Sequence, residues 1–226
     1  MIGIFDSGDG GLAAAREVRR LFQKEDIVLL ADRKNAPYGT KTEAELVSLV
    51  KEDIRRLSEM GCEKILVACC TASTVFTRLS ESEQKICLPI INPTAKAVFG
   101  SAHTAVIATE RTVNSHAFSS EIFRIYPKIK VTEIKAQKLV GLIEEGRKCS
   151  TLSSTCKEEL DRLCEKIKEL NADTLILGCT HFAHLEEEFA LRLPDTKIIN
   201  SAKEGALALK QFSSIRDKGR ATVRYV

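Results

Sequence analysis

Eight short apolar, β-rich runs alternate with amphipathic helical stretches along nearly the whole 226-residue chain. That rhythm predicts an α/β fold of mainly parallel sheets whose faces are covered by helices. Two further features shape the expectation. The polar groups of chemical interest directly follow apolar runs, where ligands gather outside the carboxyl ends of parallel strands. The segment "LPIINPTAKAV" sets prolines around an apolar run near residue 93, and "IINSAKEG" leaves another strand near residue 201. A crossing and a return at those points give two lobes of about four strands each, residues 1–92 plus 202–226 and residues 93–201.

The first run, IGIF (2–5), leads into Asp6, Ser7 and the glycines Gly8, Gly10 and Gly11 before a helical stretch. Glycines there let the backbone approach a ligand closely, and the N–H groups that follow suit a carboxylate or phosphate. IVLLAD (27–32) is the second strand. NAPYGTKT (35–42) after it is a turn in which Pro37 fixes one dihedral, Gly39 frees the next, and Thr42 is placed to cap the helix TEAELVSLVKEDIRRLSEMG. Tyr38 and the Gly39 amide are candidates to contact a bound acid. KILVAC (64–69) is the third strand and ends at Cys69, Cys70 and Thr71.

PIIN (89–92) reads as the fourth strand, TAVIAT (104–109) as the fifth and KVTEIKA (130–136) as the sixth, with Thr109 and Thr112 at the polar edge after the fifth. In TCKEELDRLCEKIKEL the positions Leu160, Leu163, Cys164, Ile167 and Leu170 repeat at helical spacing. Thr155, three residues before Glu158, is placed to open a capping box. DTLILG (173–178) is the seventh strand and ends at Cys179, Thr180 and His181; the amphipathic FAHLEEEFALRL and an eighth strand, TKIINS (196–201), follow.

A formal net charge of +3, with the basic residues scattered, gives no footprint for nucleic acid. No apolar run approaches the roughly 20 residues of a membrane span, and MIGIFDSG shows no leader pattern, so a cytoplasmic protein is expected. The eight cysteines, Cys62, Cys69, Cys70, Cys87, Cys149, Cys156, Cys164 and Cys179, are too sparse for a disulfide scaffold and form no C-x-x-C pair for zinc. They are read as reduced thiols, with Cys156 and Cys164 serving packing or surface.

Two strand ends, "ILVACCTAS" and "LILGCTHFA", place a thiol and a hydroxyl at a helix start. Backbone N–H groups and the helix dipole at such a place are expected to lower a thiol's pKa. A single such cysteine is an ordinary small hydrophobe at a packing point; two in similar settings suggest a site assembled from two halves. Two opposed thiols suit proton removal from a carbon beside a carboxylate and its return on the other face, a two-base racemase or epimerase with no cofactor and no metal. His181, two residues after Cys179, and Asp6, ending the first strand, are the candidate tuning groups. A competing reading stays open: Gly8-Asp9-Gly10-Gly11-Leu12-Ala13 fits G-x-G-x-x-A, and Asp32 ends the next strand as a ribose-binding acid would in a dinucleotide-binding oxidoreductase. That reading leaves the two Cys-Thr strand ends and NAPYGTKT unexplained.

Seven blocks, "IGIFDSGDGGL", "APYGTKT", "LVACCTAS", "VIATERT", "LVGLIEEG", "LILGCTHF" and "IINSAKE", together resemble the glutamate racemases of the aspartate/glutamate racemase family. They span nearly the whole chain in the family's order. The resemblance implies two similar α/β lobes with the active site in the cleft between them, no cofactor, glutamate as the small-molecule substrate, and interconversion of its L and D forms for bacterial peptidoglycan. It implies Cys69 and Cys179 as the acid/base thiols, with Asp6 assisting Cys69, and His181 and Glu144 assisting Cys179. Ser7, Pro37, Tyr38, Gly39, Cys70, Thr71, Thr109, Thr112 and Thr180 would hold the substrate. A homodimer is a further implication, although no residue marks a dimer face.

Four places depart from the family pattern. Cys70 stands where the family has Asn, Arg111 where it usually has Gly, Gln137-Lys138 where Cys-Pro is common, and Asn200 where Asp is usual. Matching Cys-Thr to Cys-Thr would pair Cys70 with Cys179; the family register pairs Cys69 with Cys179 and puts Thr71 in its family position. Arg111 would narrow the pocket or add a carboxylate contact. With Cys70 it also keeps open a catalytically silent relative that binds an acidic amino acid.

Overall fold

The computed structural model describes residues 1–146, 152–212 and 222–226; Cys149 and part of the 202–226 segment lie outside the described residues. β1 (Ile2–Asp6), β2 (Ile27–Ala31), β3 (Lys64–Val67), β4 (Cys87–Pro89) and β9 (Val223–Tyr225) form one sheet in the order β4-β3-β1-β2-β9. β5 (His103–Ala108), β6 (Lys130–Lys135), β7 (Thr174–Gly178) and β8 (Lys197–Asn200) form the other in the order β6-β5-β7-β8. Every neighbouring pair is parallel. The first sheet has five strands rather than the expected four, because Val223–Tyr225 adds to the edge beside β2.

The helices are α1 (Gly11–Leu21), α2 (Glu43–Glu59), α3 (Cys70–Ser73), α4 (Glu81–Ile86), α5 (Ile91–Lys96), α6 (Glu110–Ser115), α7 (Ala117–Ile125), α8 (Gln137–Gly146), α9 (Ser154–Glu169), α10 (Glu186–Arg192) and α11 (Ser201–Phe212). On the central strands β1, β2, β3, β5 and β7 both faces are buried, which is why they read as continuous apolar runs. On β1, Ile2 and Ile4 join a core that also takes Val106 and Ile176 of the second sheet with residues of α1, α5, α7 and α11. Phe5 of the same strand faces a separate core under α2. Ala105, Ile107, Leu175 and Leu177 face a third, under α8 and α9. One core therefore spans the two sheets, and each sheet has its own outer core.

Stripped of β9, both sheets have the same strand order. Each lobe runs second, first, third, fourth: β2-β1-β3-β4 and β6-β5-β7-β8. The order reverses between the first and third strands of each lobe, the place where open α/β sheets bind ligands. Cys69 follows β3 and Cys179 follows β7, so the two thiols leave topologically equivalent strands.

Three local expectations need correction. PIIN is not a strand: β4 stops at Pro89 and α5 begins at Ile91. Ile90 and Ile91 are buried by the helix as a strand would bury them, and Pro93 sits in the first turn, where its missing N–H has no intrahelical partner to lose. α9 is capped by Ser153, whose side chain accepts from the Cys156 N–H, and not by Thr155. The stretch FAHLEEEFALRL starts in a 3-10 turn, Thr180–Leu185, before α10. Thr42 does cap α2, in a full capping box with Glu45.

Candidate active site

Cys69 is the N-cap of α3, and its Sγ accepts the Ala72 N–H at 3.4 Å while lying 3.3 Å from Ser7 Oγ. Cys179 leaves β7 in extended backbone, with its Sγ 3.7 Å from Nδ1 of His181. Both thiols line one narrow cleft of about 40 Å³, room for roughly three water molecules. Ser7, Gly8, Pro37, Tyr38, Gly39, Cys70, Thr71, Thr109, Glu144, Thr180 and His181 line the same cleft, as do Ala36, Gln137 and Val140, which sequence reasoning did not single out as site residues. Asp6 and Thr112 stand behind the lining, each bonded to a residue in it.

The electrostatics differ between the halves. Asp6 is fully buried; the Gly8 N–H donates to its Oδ1 and Thr180 Oγ1 to its Oδ2, both at 3.0 Å. Burial nevertheless pushes its carboxyl up to about 7, against those hydrogen bonds, which favour the charged form. Cys69 is pushed up to about 11 by burial and by the Asp6 charge, with Ser7 and the Ala72 N–H pulling the other way. Cys179 is raised further, chiefly by burial, and the His181 backbone N–H opposes the rise. The expected lowering of both thiols at a helix start is therefore corrected: loss of hydration outweighs the N–H groups. Cys70 is also raised well above the thiol range, by burial and then by Cys179 and Cys69.

On the Cys179 side the His181 ring bridges two groups. Its Nε2 lies 3.1 Å from Glu144 Oε1, and its Nδ1 faces the thiol. In the tautomer that carries its proton on Nε2, the side facing Glu144, Nδ1 presents a lone pair to the Cys179 S–H.

The hydroxyls are largely satisfied within the protein. Thr71 and Thr109 are 2.9 Å apart, Thr109 and Thr112 2.8 Å, and Thr71 and Thr112 3.2 Å, a closed triangle of three hydroxyl groups. Tyr38 lines the cleft, and its one hydroxyl proton is shared between Asp32, 2.7 Å away, and Asp53 at 3.0 Å. Asp53 is pushed up to about 6 by burial and by the Asp32 charge, so that in its protonated form it supplies a second proton to this shared set. At Gly39 a Cβ would sit 2.9 Å from Gln137 Oε1, the far end of a flexible side chain, so the two residues lie against each other. Pro37 precedes it, after a cis peptide bond with Ala36.

The departures fall in different places. Arg111 is on α6 and is not among the residues that line the cleft. Asn200 has a structural position: its side chain donates to Glu186 and accepts the Ala202 N–H at the start of α11. The dinucleotide reading loses its two supports. A Cβ on Gly10 would collide with Thr180 Oγ1 and come within 2.8 Å of His181 Nδ1, so the start of α1 is covered by the other lobe. Asp32 is engaged by Tyr38 and Asn35. Among the described residues no group of His, Cys, Asp and Glu side chains is arranged to hold a metal ion, and no helix is long and apolar enough to cross a membrane.

Comparison with known proteins bears on this cleft. Residues 11–209 match the family described as Asp/Glu/Hydantoin racemase. The chain is 35% identical over 225 residues to a glutamate racemase of Lactobacillus acidophilus, covering 96% of this chain and 82% of that protein. Its structure resembles glutamate racemase isoform RacE1 of Bacillus anthracis, with a TM-score of 0.90 and 27% identity over 100% of this chain and 87% of the other. It also resembles the glutamate racemase of Francisella tularensis solved in complex with D-glutamate, with a TM-score of 0.86 and 27% identity over 99% and 86%.

Proposed function

This chain belongs to the Asp/Glu/Hydantoin racemase family, and from that premise we propose that it interconverts L- and D-glutamate by two-thiol proton transfer at Cα, without a cofactor. The observation that carries the reading is the pair Cys69 and Cys179, which end equivalent strands of the two sheets and line one cleft, each beside its own acid/base partner.

In one direction the Cys69 thiolate removes the Cα proton and the Cys179 thiol delivers its own to the opposite face; in the other direction the roles exchange. Cys69 is supported over Cys70 as the first base by the two donors that stabilise its thiolate, Ser7 and the Ala72 N–H. A bound ammonium group brings a positive charge that favours the thiolate. Asp6, titrating near neutrality beside Cys69, takes up and returns the proton the thiol must lose. His181, held by Glu144, does the same for Cys179. Ser7 and the Gly39 backbone meet the carboxylates and place Cα between the thiols, while Thr71, Thr109 and Thr180 line the same walls. Pro37, Tyr38 and Cys70 shape the walls, and Thr112 supports the other two threonines.

The reading extends to a division into residues 1–92 plus 202–226 and residues 93–201, to a cytoplasmic homodimer, and to supply of D-glutamate for peptidoglycan. The glutamate-bound Francisella relative supports the substrate. Purified, reduced protein incubated with L-glutamate alone, with the enantiomers resolved by chiral chromatography, tests the proposal. Drift to an equal mixture is expected; persistence of a single enantiomer overturns it.

A further inference from the structure

We propose that Gln137 binds the distal carboxylate of the substrate through its side-chain amide and so sets the preference for glutamate over aspartate; the assignment rests on the racemase reading of the same cleft. Glutamate brings two carboxylates, yet among the described residues the cleft lining contains no Lys or Arg. The carboxylates must therefore be met by neutral donors, and most of the hydroxyls nearby are already committed. The three threonine hydroxyls can close their triangle with one proton each. Thr180 donates to Asp6, and Tyr38 donates to Asp32 and Asp53.

Gln137 is different. It carries the one side-chain amide in the lining. Its Oε1 accepts the Glu110 N–H in a long bond of 3.4 Å, which favours this orientation of the amide over the flipped one. Nε2, with two N–H donors, is the other end, and it has no hydrogen-bond partner among the described residues.

Its place in the sheet selects which carboxylate it meets. Lys135, Ala108 and Gly178 stand in one row across β6, β5 and β7. Gln137 follows β6 and Cys179 follows β7, two strands away and hence about 10 Å across the sheet. That separation suits the far end of a substrate whose Cα lies between the thiols, with Gln137 and Gly39, which lie against each other, at the distal carboxylate. Aspartate is one methylene shorter and leaves the amide unpaired, the situation in which a polar site rejects an analogue most strongly.

Two variants test this. Gln137→Glu keeps the acceptor for the Glu110 N–H, loses the donor and sets a negative charge where the carboxylate would bind. At the first position of α8 a carboxylate also suits the helix dipole, so the variant is expected to fold at least as well. Gln137→Leu removes both ends. Binding of L-glutamate and L-aspartate is measured by titration calorimetry alongside racemisation of each. The expected result is loss of glutamate affinity by roughly ten- to a hundredfold in Gln137→Leu and more in Gln137→Glu, as a rise in KM with aspartate nearly unchanged. Equal losses for both amino acids would make Gln137 a bridge between Gly39 and α6 and overturn the proposal, as would unchanged glutamate affinity. A wild-type chain that binds glutamate without racemising it would sink the racemase reading instead, and the ratio of affinities would still judge Gln137.

Discussion

Thr180 Oγ1 donates a 3.0 Å hydrogen bond to Asp6 Oδ2, joining residues 174 apart in the sequence. Asp6 ends the strand beside Cys69, and Thr180 directly follows Cys179, so the bond ties the carboxyl of one half-site to a side chain of the other. It also favours the ionised form of a carboxyl that burial holds at about 7. Thr180→Val is expected to move the Asp6 titration further upward, and the acid limb of kcat/KM with it. The lost bond should destabilise the fold by about 1–3 kcal/mol. A pH–rate profile with the acid limb unmoved would separate Asp6 from the chemistry.

Asp6 also predicts how stability depends on pH. Its folded titration point of about 7 lies above the ordinary 3.8. Between those values the folded chain binds a proton that the unfolded chain has released, so its contribution is fully present below about 4 and is lost as pH rises to about 7. Asp6→Asn removes the effect. Relative to the wild type, the variant should gain at most about 4 kcal/mol between pH 4 and pH 8, read from denaturant midpoints at each pH. A constant difference between the two proteins would contradict the buried-carboxyl account.

Replacing either thiol should stop turnover while leaving the lobes intact. Cys69→Ala and Cys179→Ala are each expected to lower racemisation by at least about 10²- to 10⁴-fold, the range for a positioned acid or base. Cys70→Ala should retain turnover, since Cys69 has the Ser7 and Ala72 donors. The reverse order, with Cys70 essential and Cys69 dispensable, would shift the register of the pair by one residue.

Gly10→Ala isolates the fit between the lobes. Gly10 has right-handed helical backbone, φ −56° and ψ −33°, which alanine adopts readily, and alanine there would ordinarily stabilise the folded chain through the unfolded state. The added Cβ instead meets Thr180 and His181. Activity should fall well before the fold is lost, because parting the lobes relieves the clash at some cost in packing, about 1–3 kcal/mol. Unchanged kcat and KM would mean that the cleft need not close this tightly.

Much of this was legible in the sequence because parallel strands buried on both faces leave long apolar runs, and the ligand edge follows each run. Asp6, Cys69, Thr109 and Cys179 all follow such runs, and the structure gathers them in or behind one cleft. Gln137 does so too, following β6, but an amide at a strand end has no distinctive signature. β9 was missed because three residues pairing with Ile27–Leu29, far away in the chain, carry no local pattern. PIIN misled because two buried isoleucines fit a strand or a helix equally until Pro93 is placed in a first turn. The thiol pKa values went the wrong way for a related reason: helix-start geometry is readable locally, whereas the burial that overrides it comes from both lobes together.

The central claim is proton transfer at Cα between two faces, and deuterium exchange reads it directly. L-glutamate incubated with reduced protein in heavy water, without cofactor, should lose its Cα proton signal by NMR while D-glutamate appears, and Cys179→Ala should suppress D-glutamate formation. Folded wild-type protein that leaves the Cα proton of L-glutamate in place would contradict the account.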